Sequence, residues 1–205
     1  RRHAHWCGRG VAHRRGHQQH SRRDRRKHHL GGRRVRITLN SDSDGNGAGA
    51  VRLGGFPTLP LVTINSNGGN ILIGGGAGAA GFAVGEGANS YGIYLNGAAL
   101  SSGAGSITLR GQGAAGGGRG ISMQTGSGSS IQSTSGAISL FGISTGNDPG
   151  IRVSVGQTVT SSGGSILLDG AATGAGNGIE MWGQVSTTGA GSVTLTGSGS
   201  AGGIE

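Results

Sequence analysis

The stretch GSITL at residues 105–109 recurs along this 205-residue chain and decides its fold. Close copies read GAISL at 136–140, GSILL at 164–168 and GSVTL at 191–195, and looser ones read VRITL at 35–39 and GNILI at 69–73. The first apolar residues of successive copies lie 34, 36, 31, 28 and 27 residues apart. A recurrent period of this length is typical of solenoids, in which each repeat forms one coil.

Two further phrases keep a fixed place within each repeat. One is the GIxx phrase, which follows the GSITL-type phrase by 11 to 14 residues, or by 22 between Ile71 and Ile93, and reads GIYL at 92–95, GISM at 120–123, GIRV at 150–153 and GIEM at 178–181. The other lies around Ile64, Leu100, Ile131, Val159 and Val185, and precedes the next GSITL-type phrase by 7, 7, 7, 7 and 8 residues. Apolar residues at i and i+2 between Gly, Ser or Asn predict short strands with one buried face.

Three short strands per repeat, joined by glycine-rich corners, predict an all-β parallel β-helix of about six coils over residues 37–205. The 49 glycines oppose helix formation and tolerate the positive φ angles that corners need. The inward side chains are expected to stack in two columns, Ile71, Ile107, Ile138, Ile166, Val193 and Ile93, Ile121, Ile151, Ile179, Ile204. A glycine-rich disordered tract would not keep such regular spacing.

The positive charge is confined to one end of the chain. Residues 1–36 carry 13 of the 17 Lys and Arg and one acid, a net charge of +12, whereas residues 37–205 carry four Arg and seven acids, a net charge of −3. The whole-chain charge of +9 therefore describes the first segment. Nucleic acid is not an expected partner of the repeat domain.

Three interpretations of residues 1–36 remain open. The segment is a disordered basic arm able to neutralise phosphates, a stretch that is not translated in its native frame, or a soft-metal site formed by Cys7 and the seven histidines. Its start with Arg and its Arg, His and Gly content favour the second interpretation. A lone cysteine is a poor zinc signal, and no disulfide framework is possible.

The repeats resemble those of filamentous-haemagglutinin-type bacterial exoproteins. The similarity rests on ITLNSDSDGNGAGAV at 37–51, INSNGGNILIGGGA at 64–77 and LSSGAGSITLRGQG at 100–113. It implies a right-handed β-helix, secretion with the help of a transporter, and a role in adhesion or surface structure. Expected partners are host-cell or matrix glycans or proteins and other surface proteins. The final GGIE, which stops in mid-strand, suggests an interior fragment of a longer solenoid.

A β-helix enzyme would need several acids converging on one wall from neighbouring coils. No such cluster is predicted, no cofactor is expected, and Asp148 is predicted to stand alone in a GNDPG turn. The predicted function is therefore a non-catalytic structural or adhesive module, secreted or on the cell surface. The alternative is a fragment of a carbohydrate-active lyase or hydrolase. The sequence contains no run of 18 apolar residues, so it predicts no transmembrane helix.

A few residues are candidates for a site. Asp42, Asp44 and Asn46 match the first half of a calcium loop, although the pattern's twelfth position is Leu53, so a polar corner is the favoured interpretation. Arg152 and Glu180 are predicted to be outward neighbours one coil apart, forming a surface ion pair or half of a sugar site. The aromatic candidates for ligand contact are Phe82, Tyr91, Tyr94 and Trp182, the first three in or beside the long interval that ends at Ile93.

Overall fold

The computed structural model of the chain describes residues 32–54, 61–87, 90–124 and 128–205. Residues from Gly32 to Glu205 belong to one compact unit. The predicted basic arm falls largely outside the described residues, since its first 31 positions are not among them. The described part of that arm, residues 32–36, is exposed and leads into the first strand.

The described residues form three parallel sheets, and the predicted all-β parallel solenoid is confirmed. Sheet 1 contains β1 Ile37–Asn40, β4 Ile71–Gly74, β5 Ala83–Val84, β8 Ile107–Gln112, β11 Ile138–Ser144, β14 Ile166–Ala172 and β17 Val193–Ser198. Sheet 2 contains β2 Val51–Gly54, β6 Ile93–Asn96, β9 Ile121–Met123, β12 Ile151–Val153, β15 Asn177–Met181 and β18 Gly202–Ile204. Sheet 3 contains β3 Val62–Asn65, β7 Ala98–Ser101, β10 Ser130–Ser133, β13 Thr158–Ser161 and β16 Gln184–Thr187.

The chain visits the three sheets in turn, and each visit adds one strand beside the last. Among the described residues the final pass has strands in sheets 1 and 2 alone, so complete coils are slightly fewer than the six predicted. The only helical segment in this part of the chain is a 3₁₀ turn at Ala77–Ala79. A single coil cannot bury its own apolar face, so the stacking of coils creates the core.

Strand register places like residues above one another, as the repeat spacing predicts. Ile138 pairs with Ile107 on one side and Ile166 on the other, and Ile151 pairs with Ile121 and Ile179. These side chains are buried, and together with the Leu column of sheet 1 and the apolar residues of sheet 3 they form one continuous core. The chain's 33% hydrophobic content is enough because this core is narrow.

Serines fix the corner between sheets 3 and 1. Ser66, Ser102 and Ser133 are buried, and each hydroxyl donates to the carbonyl of the glycine three residues later, at 2.5, 2.6 and 2.5 Å respectively. In the next coil the Ser161 hydroxyl instead accepts from the Gly164 amide at 2.8 Å. This repeated turn explains the nearly constant interval of seven residues before each GSITL-type phrase.

Sheet 1 strands are longer than predicted because they continue through a glycine. In β11, Gly142 lies within the strand. The chain then turns and forms β12, which is in contact with β11. A Cβ on Gly142 would lie 2.3 Å from the carbonyl oxygen of Gly150, and one on Gly150 would lie 2.5 Å from the amide nitrogen of Ala171. Backbones approach this closely only where both residues lack a side chain, which accounts for the Gly that begins the GIxx phrase.

Part of the long interval between Ile71 and Ile93 folds back and rejoins sheet 1. An antiparallel bridge joins Gly75 to Gly81 around the 3₁₀ turn, and β5 then rejoins sheet 1 by pairing with β8. Phe82, a predicted ligand contact, is half-buried immediately before this returning strand. The extra residues thus partly extend the sheet.

A candidate binding surface on sheet 2

The outward positions of sheet 2 form a column of polar and aromatic side chains. Arg52, Tyr94, Ser122, Arg152 and Glu180 are successive partners in register from β2 to β15. They alternate along each strand with the buried isoleucine column. The rigid core therefore fixes the spacing of these side chains.

Two tyrosines and two arginines form the first cluster of this surface. The rings of Tyr91 and Tyr94 stack with centroids 5.4 Å apart and planes 5° from parallel. The Arg52 guanidinium lies 5.5 Å from the Tyr94 centroid, and that of Arg119 lies 5.3 Å from the Tyr91 centroid. Arg119 also donates to the Tyr91 hydroxyl at 3.0 Å. We call these four residues the tyrosine cluster.

Asp148 anchors the tyrosine cluster from the next coil. Its carboxylate lies 3.1 Å from Arg119 and accepts a hydrogen bond of 3.1 Å from the Gly118 amide. The prediction that Asp148 stands alone in its turn is therefore wrong. Arg119 and Tyr91 both lie two residues before the isoleucine of their GIxx phrase, so their shared offset was the available sequence signal.

Arg152, Glu180 and Trp182 form the second cluster, at the other end of the column. Arg152 Nε lies 3.3 Å from Glu180 Oε2 without forming a hydrogen bond, and the Arg152 guanidinium lies 4.2 Å from the Trp182 ring centroid. The side chains of Arg152 and Glu180 are about one-fifth exposed, at 20% and 17%. Trp182 is 48% exposed, so much of its ring faces solvent.

The aromatic candidates differ in what they offer to a ligand. Each tyrosine already contacts the other ring and one arginine, whereas Trp182 contacts one arginine and is half exposed. A sugar ring needs an open aromatic face for stacking. Trp182 is the better stacking site, and the tyrosine cluster presents guanidinium groups and ring edges.

A shallow cleft lies beside the tyrosine cluster. It has a volume of about 500 Å³ and is lined by Ser41, Gly49, Ala50, Arg52, Glu86 and Ser90. Arg52 belongs both to this cleft and to the tyrosine cluster. The cleft therefore adjoins the tyrosine cluster, whereas the second cluster is separated from it along the column by the buried Ser122.

The candidate metal residues lie apart from the column, in the loop after β1. Asp42 is buried, and its Oδ2 accepts from the Gly47 amide at 3.2 Å. Asn46 donates to Asp44 at 2.9 Å and accepts from the Ala48 amide at 2.9 Å. Within the described ranges no group of three or more His, Cys, Asp or Glu residues is placed to hold a metal.

Comparisons of the chain with protein families, curated proteins and solved structures found no match. Of what the resemblance to filamentous-haemagglutinin-type repeats implies, the structure supports the β-solenoid fold. The family itself stays a prediction. In the part of the chain that the structure describes, no helix is long and apolar enough to cross a membrane.

Proposed function

We propose that residues 37–205 are a non-catalytic structural and adhesive module of a secreted or surface-exposed protein. The observation that carries this proposal is the outer side of sheet 2, where arginine, tyrosine and tryptophan side chains cluster at the two ends of the outward column. Exposed residues of these types are the ones that dominate recognition surfaces. The module's partners would be glycans or proteins of a host cell or matrix, or other surface proteins.

The rigidity of the column favours binding to an extended partner. Arg119 is held by Asp148 and Tyr91, and Arg152 by Glu180 and Trp182, so little side-chain freedom remains to be lost on association. Repeated coils spaced about 4.8 Å apart suit a linear polymer better than a small enclosed substrate. Asp148 and Glu180 each pair with an arginine of a cluster, which supports a positioning role for these acids and not a catalytic one.

A glycan and matrix-protein array probed with the full chain tests this proposal. The double variant Tyr94→Ala, Trp182→Ala removes one ring from each cluster, and we expect binding to fall at least about tenfold, as for loss of interface hot spots. The matched control is Phe141→Ala, which removes a sheet 1 ring lying 4.3 Å from the Arg110 guanidinium, and it should bind like the parent.

The basic segment would bind anionic ligands by charge alone, so each measurement is made at 0.15 M and at 0.5 M NaCl. Equal binding by the parent and the double variant would contradict the proposal. Release of shortened oligosaccharides from the ligand would contradict it as well, and would favour the β-helix enzyme.

A further inference from the structure

The loop between β1 and β2 contains a buried carboxylate with an oxygen that lacks a hydrogen-bond partner. Asp42 is 6% exposed, and its Oδ1 has no partner among the described residues. Its Oδ2 accepts from the Gly47 amide, so the carboxylate faces the interior of the loop formed by residues 42–47. A buried ionised oxygen without a partner is costly, because it has lost its water and gained nothing in return.

No positive side chain among the described residues forms an ion pair with this carboxylate. The two ion pairs in the described part of the chain are Arg119–Asp148 and Arg152–Glu180, and neither involves the loop. A second carboxylate, Asp44, lies two residues away and adds to the negative charge. The loop therefore has an unbalanced negative charge around one buried oxygen.

Side chains with carboxylate or amide oxygens occupy alternate positions of the loop. Asp42, Asp44 and Asn46 follow the order of ligands one, three and five of a calcium loop, and the sixth position is Gly47. The side chains of Asp44 and Asn46 already meet at 2.9 Å, on the exposed side of the loop. Gly45 and Gly47 have φ angles of 71° and 84°, which lets the backbone turn back within a few residues.

We propose that residues 42–47 bind one calcium ion, with the unpartnered Asp42 oxygen as its buried ligand. Asp44 and Asn46 supply outer ligands, and backbone carbonyls and water complete the shell. Calcium accepts six to eight oxygens in irregular geometry, whereas magnesium demands a near-ideal octahedron, so this short loop should prefer calcium. The missing acid at Leu53 places the affinity in the range of extracellular modules, about 10⁻⁴ to 10⁻³ M.

Isothermal titration of the full chain, first treated with EDTA and then dialysed, tests the site. We expect one calcium ion per chain and at least about tenfold weaker binding in Asp42→Asn and in Asp44→Asn, because affinity follows the number of ligand charges. The exposed Asp44 can be changed without disturbing the core, and circular dichroism of that variant verifies the fold. The matched control is Asp169→Asn, an exposed acid on sheet 1, which should bind calcium like the parent.

Magnesium chloride at the same concentrations should give no comparable heat. The histidine-rich segment should not contribute to the heat of calcium binding, because calcium does not favour imidazole and thiol ligands. Absence of calcium binding up to 10 mM, about ten times the weakest expected dissociation constant, would overturn the proposal. Undiminished affinity in both loop variants would also overturn it.

Discussion

Ile151 and Arg152 are neighbours on β12, yet they belong to two register columns that differ in how closely the residue type repeats. Ile151 faces inward, where five of the six residues in its column are isoleucine, whereas Arg152 faces outward in a column that runs Arg, Tyr, Ser, Arg, Glu. The interior repeats because each coil must fill the same cross-section. The outward side chains do not fill that cross-section, and their type differs from coil to coil.

The same contrast separates the outer faces of the two large sheets. Sheet 1 presents hydroxyl and aliphatic side chains such as Thr108, Ser139 and Leu167 in one register column. Its second outward column contains one arginine–ring contact among the described residues, Arg110 over Phe141. On the side of sheet 2, three arginines each lie over an aromatic ring. Arg52 lies over Tyr94, Arg119 over Tyr91 and Arg152 over Trp182. The concentration of such contacts on sheet 2 is the reason for proposing it as the binding face.

Adding one methyl group inside the solenoid gives the largest stability effect that we predict. A Cβ on Gly150 would lie within 2.6 Å of three backbone atoms, so Gly150→Ala forces two coils apart. We expect a loss of about 1–3 kcal/mol in the free energy of unfolding, the usual cost of overpacking. Urea unfolding followed by circular dichroism measures it.

Gly163→Ala is the matched control for this substitution. The nearest backbone atom to a Cβ on Gly163 is the carbonyl oxygen of Thr134 at 3.4 Å, an ordinary contact distance. Its stability should be unchanged or raised by up to about 1 kcal/mol, because alanine restricts the unfolded chain. Similar losses in the two variants would show that the two backbones at Gly150 are not in close contact.

A change on the outer face should have a smaller effect on stability. Glu180→Gln removes the charge that faces Arg152, and since both side chains are partly exposed we expect a loss of at most about 1 kcal/mol. The difference should shrink in 0.5 M NaCl, which screens the pair. A loss several times larger, insensitive to salt, would mean that the outer column is part of what holds the coils together.

Sequence spacing predicted the interior well and the surface contacts less well. The columns of Ile138 and Ile151 follow from apolar residues at i and i+2 and from fixed intervals, because parallel stacking converts sequence offset directly into position. The Ser133 turn was missed because serine is common in every glycine-rich corner of the chain. The Arg119–Asp148 pair was not predicted because its two residues lie in corners, outside the strand phrases whose intervals set the register.

The distance between Thr38 and Thr194 tests the stacked solenoid most directly. These exposed threonines lie in one register column, on the first and last strands of the β1-β4-β8-β11-β14-β17 order. Spin labels on Thr38→Cys and Thr194→Cys, with Cys7→Ser to leave no other thiol, should give a narrow distribution near 24 Å, five steps of about 4.8 Å. A broad distribution at about 62–75 Å, as 5–6 Å × √n gives for a glycine-rich coil of this length, would contradict the fold.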